Sequence, residues 1–258
     1  MFIDTHTHFY SEDFDSDRNE SIQRAKSLGV HHFILPAIDS KSIRAMERMH
    51  EEYPLVTSLM AGLHPVYVKP ETYRYELDIV ASQLRENANR YVAIGEIGID
   101  LHWDKTTLDI QKEAFQLQIQ WAKKYNLPIV IHCRKAYEEV FEVLEKEADR
   151  IEGVFHCFGG TLNQAKRAID LGMKLGIGGV VTFKNAKLAN VVQQLPLEAL
   201  VLETDAPYLA PAPFRGKRNE SSYIPYIAEK IATLHNCSVQ QIADITTATA
   251  KKVFKLTF

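Results

Sequence analysis

At 258 residues the chain is long enough for one large α/β barrel or two modest domains, and its 46% hydrophobic and 24% charged content exclude an intrinsically disordered protein. A formal net charge of −3 excludes a protein that coats nucleic acid through bulk electrostatics, so any phosphate recognition must be local. No apolar run reaches the roughly 20 residues that cross a bilayer. Ligand-type histidines begin at His6, which leaves no space for a cleavable leader and points to the cytoplasm, with no membrane association.

In chain order, the first expected strand is Phe2–Thr7, whose alternation puts Asp4, His6 and His8 on one face and Ile3, Thr5 and Thr7 on the other. An H-x-H pair alone is weak evidence for a metal. Gly29 closes a helix before the second strand, His32–Ala37, where His31 and His32 fall at the start, on the face opposite the presumed site. Ser40 is the expected cap of the helix "SKSIRAMERMHEEY", which carries His50. The third strand, Val56–Leu63, runs into His64 in "AGLHP", and the fourth, Tyr91–Ile97, contains Glu96 in "GEIGID". A helix with Phe115, Ile119 and Ala122 on its core face leads to the fifth strand, Pro128–Cys133, which carries His132 in "IVIHCR". The sixth, Gly153–Cys157, carries His156 in "GVFHCF". Thr161 and Gln164 form a capping box, Gly172 ends that helix, and the strands Met173–Ile177 and Leu200–Thr204 follow, the last running into Asp205. From Ser222 the chain is helical, with His235 in a helical segment and a second capping box at Ser238 and Gln241.

Eight strands alternating with helices predict a (β/α)8 TIM barrel in which residues 1–258 form a single domain, with a doubly wound open sheet as the competing architecture. In a barrel, His64, Glu96, His132, His156 and Asp205 all fall at the C-terminal ends of strands, where barrel enzymes place their chemistry. Burying so many histidines and carboxylates is costly unless something compensates, and a metal cluster does so for the whole set. The three cysteines lack C-x-x-C spacing, so neither a disulfide framework nor a thiolate zinc site is indicated. Cys133 and Cys157 are expected to turn away from the histidines they follow and pack against helices.

The stretches "IDTHTH", "GLHP", "GEIGID", "LPIVIHCR", "HCFGG", "LETDAPYL" and "RGKRNE", in that order, resemble the TatD family of metal-dependent deoxyribonucleases among the amidohydrolase-like barrels. The resemblance covers essentially the whole chain and implies a distorted TIM barrel with a two-metal site. Carried over by position, it implies one divalent ion on His6, His8, Glu96 and Asp205, and a second on Glu96, His132 and His156, with Glu96 bridging. Ser221 stands where the family usually has proline, and Cys133 where it commonly has serine.

Such a pair of ions suits phosphodiester hydrolysis. Asp205 is the expected ligand and base, and His64 the expected contact to a phosphate oxygen or to transition-state charge. Glu203 and Asp4 are expected either to orient ligands or to be buried structural carboxylates. Arg134, Arg215 and Arg218 are the expected phosphate-binding arginines, flanked by Lys135, Lys184, Lys187 and Lys217, and Trp103, Phe158 and Tyr208 are candidates for base stacking. The histidine-rich donor set favours zinc or manganese, while the resemblance also admits magnesium. The leading expectation is cleavage of DNA from an end, on single strands. Two alternatives stand beside it: the same metals acting on an ester or amide such as an aminoacyl-RNA or lactone, and a metal-stabilised binding protein without turnover. No obligate protein partner is inferred.

Overall fold

A computed structural model describes residues 1–147 and 151–258. Its strands are β1 (Phe2–Asp4), β2 (Val30–Leu35), β3 (Thr57–Ala61), β4 (Tyr91–Asp100), β5 (Ile129–Arg134), β6 (Gly153–Phe155), β7 (Met173–Ile177) and β8 (Leu200–Leu202). The α-helices are α1 (Arg18–Ser27), α2 (Ser40–Glu52), α3 (Tyr73–Asn87), α4 (Leu108–Tyr125), α5 (Tyr137–Glu145), α6 (Leu162–Asp170), α7 (Leu188–Val192), α8 (Ile224–His235) and α9 (Val239–Val253).

The strands are parallel and neighbour one another in sequence order from β1 to β8. The ends of that sheet meet through individual bonds instead of a regular ladder: Thr5 N–H donates to the Leu202 carbonyl at 3.0 Å, Asp205 N–H to His6 at 2.9 Å, and His8 N–H to Ala206 at 2.8 Å. The result is a nearly closed, distorted (β/α)8 barrel, and the doubly wound alternative is set aside.

Inside the barrel, side chains from seven strands, among them Ile3, Ile34, Met60, Val130 and Val201, pack with Ala250 and Val253 of α9 and with Phe254 just after it, so that this helix plugs one end. The other strand face packs on the surrounding helices. The apolar plug confines the polar strand-end residues to the opposite, C-terminal mouth.

Several elements differ from the sequence reading. Four strands are shorter because the chain leaves the ladder as it delivers polar residues to the mouth: β1 ends at Asp4, β3 at Ala61, β6 at Phe155 and β8 at Leu202. Left-handed backbone at Cys157 (φ 46°) and Asp205 (φ 58°) marks two of those departures. β4 is longer, extending to Asp100 against β5. Gly98 (φ +140°) permits that close pairing, since a Cβ there would stand 2.1 Å from the His132 carbonyl oxygen. Asp39, not Ser40, caps α2: its carboxylate accepts from Ser42 N–H, and the Ser42 hydroxyl answers the cap's own N–H. The boxes at Thr161/Gln164 and Ser238/Gln241 form as expected.

Three of the four histidines set apart by sequence have structural partners, and His31 is exposed: His32 Nε2 lies 2.8 Å from Ser58 Oγ, His50 Nδ1 2.9 Å from Thr57 Oγ1, and His235 Nε2 3.0 Å from the Val192 carbonyl. Among the described residues no helix is long and apolar enough to cross a membrane.

Candidate metal centre

The strand-end residues converge on Glu96, which is buried and surrounded by imidazoles. Its Oε2 lies 3.2 Å from His6 Nε2, while Oε1 lies 2.8 Å from His132 Nδ1, 3.2 Å from His156 Nε2 and 3.3 Å from His64 Nε2. Asp205 Oδ1 stands 3.4 Å from His8 Nε2 and 3.8 Å from His6 Nε2. One carboxylate therefore faces two sets of nitrogen donors, one set per oxygen.

Which nitrogens can offer a lone pair follows from what holds the far side of each ring. Tyr10 Oη donates to the Pro36 carbonyl at 2.7 Å, so it must accept from His8 Nδ1 at 2.8 Å. That places the His8 proton on Nδ1 and leaves Nε2 with a free lone pair toward Asp205. Asp100 Oδ2 lies 2.9 Å from His132 Nε2 and holds a proton there, so Nδ1, which faces Glu96 Oε1 at 2.8 Å, is the nitrogen left to offer a lone pair to a cation. The Asp100 Oδ1 atom accepts from the N–H groups of His102 (2.8 Å) and Trp103 (3.2 Å), so the carboxylate cannot rotate freely. Glu203 Oε1 approaches His156 Nδ1 at 3.2 Å, an ion-pair distance without hydrogen-bond geometry, and accepts from Cys157 N–H. Space for this buried carboxylate comes from Gly176, where a Cβ would meet Glu203 Oε2 at 2.1 Å.

His64 has the opposite polarity. Its Nδ1 accepts from Val66 N–H at 3.1 Å, so in the neutral ring the proton sits on Nε2 and points at the centre. His64 thus presents a donor where the far-side partners of His8 and His132 leave a nitrogen able to accept.

Asp4 takes the structural alternative. It is fully buried and accepts from Thr204 N–H (3.0 Å), Thr204 Oγ1 (2.5 Å), Ser221 Oγ (2.6 Å) and His6 N–H (3.3 Å). Burial pushes its carboxyl up to about 7 against those donors. It ties the β1 end to the β8 end without touching an imidazole.

The electrostatics of the cluster are mutual. Burial works to raise the Glu96 carboxyl, but His156, His64, His6 and His132 hold it well below the usual range, and burial is similarly outweighed at Asp205. Asp100 is held at about 2, burial being opposed by His132 and the two backbone donors. Burial pushes His6 and His64 down; at His156 burial is overcome by Glu96, Glu203 and Asp205, and that ring is pushed well up.

These residues fit a divalent cation. Both ring nitrogens of His6 are buried with no hydrogen-bond partner, an arrangement that is expensive unless another group takes the lone pair. Among the described residues three clusters bring ligand atoms within 4.8 Å of one another, His6–His8–Glu96, His64–Glu96–His132 and His6–His156–Glu203. The inward proton of His64 makes it the poorest donor of the second.

Above the centre lies a cleft of about 1170 Å³ whose mouth includes Tyr67, Trp103, Arg134, Lys135 and Tyr208. The Arg134 guanidinium stands over the Trp103 ring at 5.5 Å, and Trp103 and Tyr208 are 68% and 57% exposed, open to a ligand. Other expected contacts lie elsewhere. The guanidinium fork of Arg218 is engaged by Asp17 at 2.6 and 2.8 Å and lies over Phe14, and the Arg215 guanidinium lies over Phe183; neither arginine lines the cleft. The expectation that Arg218 meets phosphate is corrected accordingly: its charge anchors the loop after β8 to the segment before α1. Phe158 is buried against Tyr137 and offers no face to a base. Cys133 packs against the helical layer as alternation expects while also bordering the cleft, whereas Cys157, expected in the same layer, lines the cleft wall.

Sequence reasoning missed Asp100 and Tyr10. Period-two alternation carries a signal for both, since Asp100 shares a strand face with Glu96 and Tyr10 would share one with His8.

The sequence model of the family described as TatD related DNase matches residues 3–255. The metal-dependent hydrolase YabD of Bacillus subtilis is 44% identical over 99% of this chain and all of its own length. A protein named 3'-5' ssDNA/RNA exonuclease TatD, from a Rahnella strain, is 32% identical over 95% of each chain. The crystal structure of YjjV, a TatD homologue from Escherichia coli, superimposes with a TM-score of 0.92 at 31% identity, covering 99% of this chain and 98% of that one. With the barrel, the buried histidine–carboxylate cluster and these likenesses together, the chain belongs to the TatD family of metal-dependent hydrolases.

Proposed function

We propose that the protein is a two-metal phosphodiesterase that shortens single-stranded nucleic acid, DNA in the first instance, from an end. The observation that carries this reading is the division of Glu96: Oε2 faces His6, beside His8 and Asp205, and Oε1 faces His132 and His156. On this reading one ion would be held by His6, His8, Glu96 and Asp205 and the other by Glu96, His132 and His156, donors that favour zinc or manganese, with magnesium admitted by the family resemblance. Two such ions would supply an activated water and a clamp on the attacking and leaving oxygens of a phosphodiester.

The chain's own residues do the rest. Asp205 is the most open carboxylate of the set, its side chain 15% exposed against 3% for Glu96, so it can reach a water on the cleft side and take its proton. His64 offers its inward Nε2–H to a phosphate oxygen and so stabilises charge that develops in the transition state. Arg134, stacked on Trp103, gives the departing strand a guanidinium and a π face together. Homologues named as nucleic-acid exonucleases support this choice of substrate.

The test is cleavage of a linear single-stranded oligonucleotide beside a circular one, a duplex, and an aminoacyl-RNA or lactone ester, with and without chelator, for wild type and Asp205→Asn. The reading expects chelator-sensitive shortening of the linear strand alone. The asparagine variant should lose about 10²- to 10⁴-fold in rate while keeping its thermal midpoint. Cleavage of the ester alone would assign the site to carbonyl chemistry and overturn the phosphodiesterase reading.

A further inference from the structure

The helix α4 carries two buried glutamines, Gln111 and Gln118, seven residues apart and therefore on nearly the same face. A buried primary amide needs partners for both ends, and these two find theirs in backbone that has run past or reached the end of a strand. Gln118 Oε1 accepts from Leu63 N–H at 2.7 Å, and its Nε2 donates to the Leu63 carbonyl at 3.2 Å. Gln111 repeats the pattern on Asp100, accepting from its N–H at 2.8 Å and donating to its carbonyl at 3.2 Å, with a further bond from Nε2 to Thr107 Oγ1 at 2.9 Å. Each side chain stands in for the next strand of a ladder at a single residue.

The two residues so held control neighbouring chemistry. Leu63 directly precedes His64, and Asp100 carries the carboxylate that sets the tautomer of His132. We infer that Gln111 and Gln118 are positioning residues: Gln111 aims Asp100 and through it the inward lone pair of His132, and Gln118 aims the inward N–H of His64. One side of the centre is thus aligned from a single helix, while His6, His8 and Asp205 are aligned by the junction of β1 with β8. The inference rests on the two-ion reading.

The roles predict different signatures, which a merely structural role would not. Gln111→Met and Gln118→Met keep side-chain length and remove the amide, with the exposed Gln116→Met as control. Metal-stripped protein is titrated calorimetrically with Mn²⁺, and turnover of bis(p-nitrophenyl) phosphate is followed separately. Gln111→Met should weaken one of two ions by about tenfold and leave the other within about threefold. Gln118→Met should leave both ions within about threefold and lower kcat about tenfold at unchanged KM. Should Gln111→Met fail to fold, Gln111→Glu retains the acceptor for Asp100 N–H and should give an intermediate, still selective loss. Equal weakening of both ions by Gln111→Met, or of neither, overturns the inference, as does a Gln118→Met protein with wild-type kcat. A wild type that takes up a single ion would instead sink the two-ion reading; tenfold loss of that ion in Gln111→Met, but not in Gln118→Met, would still carry the positioning role.

Discussion

Replacing Asp100 with asparagine tests whether the proton on His132 is set from outside the centre. The substitution is nearly isosteric, and the two backbone N–H groups on Asp100 Oδ1, at 2.8 and 3.2 Å, dictate which way the new amide turns. Its oxygen must accept from them, so its NH₂ faces His132 Nε2, where Oδ2 now stands at 2.9 Å. That nitrogen then becomes the acceptor, and the ring proton moves to Nδ1, aimed at Glu96 and at any cation held there. Binding an ion requires the tautomer to be reversed, giving up a hydrogen bond to a charged group worth about 1.5–3 kcal/mol. The expected cost is therefore about 10- to 100-fold in affinity for one ion, the range for removing a carboxylate behind a metal-bound imidazole. The metal-stripped variant should unfold within about 1 kcal/mol of wild type, since the amide still pairs at both ends. Mn²⁺ titration of stripped protein with parallel urea unfolding measures both quantities. Affinity within about threefold of wild type for every ion would refute the argument from tautomers.

Other outcomes follow from the same structure. Tyr10→Phe strips His8 Nδ1 and the Pro36 carbonyl of their buried partner and should cost about 1–3 kcal/mol in urea unfolding, with weaker binding of the ion beside His8. Arg134→Ala should raise KM for an oligonucleotide several-fold, whereas Arg218→Ala, whose fork is spent on Asp17, should leave KM within about twofold and lower stability by about 1–2 kcal/mol. Burial pushes His32 down to about 4. Below pH 6.5 the unfolded chain takes up a proton that the folded chain refuses, so this stability is complete above pH 6.5 and drains as pH falls toward 4. Between pH 7 and 4.5 wild type should lose about 2–3 kcal/mol more than His32→Gln; parallel losses in urea unfolding would show that His32 is not the group responsible.

How much of this was legible in the sequence depends on range. Period-two alternation and capping boxes are local, and the eight strands, though not all their ends, and the boxes at Thr161 and Ser238 appear where local rules put them. The gathering of His6, Glu96, His132, His156 and Asp205 at one mouth follows from barrel topology once eight strands are granted. Side-chain direction past the end of a strand does not. Cys157 sits in left-handed backbone immediately after His156, and the alternation that would have sent it outward has stopped. Arg218 is similar: a cationic loop run reads as phosphate-binding until Asp17, about 200 residues away in sequence, is found to occupy it.

Asp4 shows why face alone does not assign a role. It shares the alternation of His6 and His8, and by that rule it belongs with the imidazoles. Yet its oxygens are filled by the local His6 N–H and by Thr204 and Ser221, donors brought in from the chain after β8. A proline at 221, the residue the family resemblance leads one to expect, would have no hydroxyl to give, so Ser221 supplies a tie between β1 and the loop after Asp205 that a proline could not make. The stiffness a proline ring would lend is here supplied by a hydrogen bond to a buried carboxyl. Asn219 adds to it, clamping the Thr204 and Tyr208 carbonyls at 2.8 and 2.6 Å on either side of Asp205. Asp205 is therefore held by its neighbours on both flanks while its own carboxylate stays open to the cleft, as the proposed double role of ligand and proton acceptor requires.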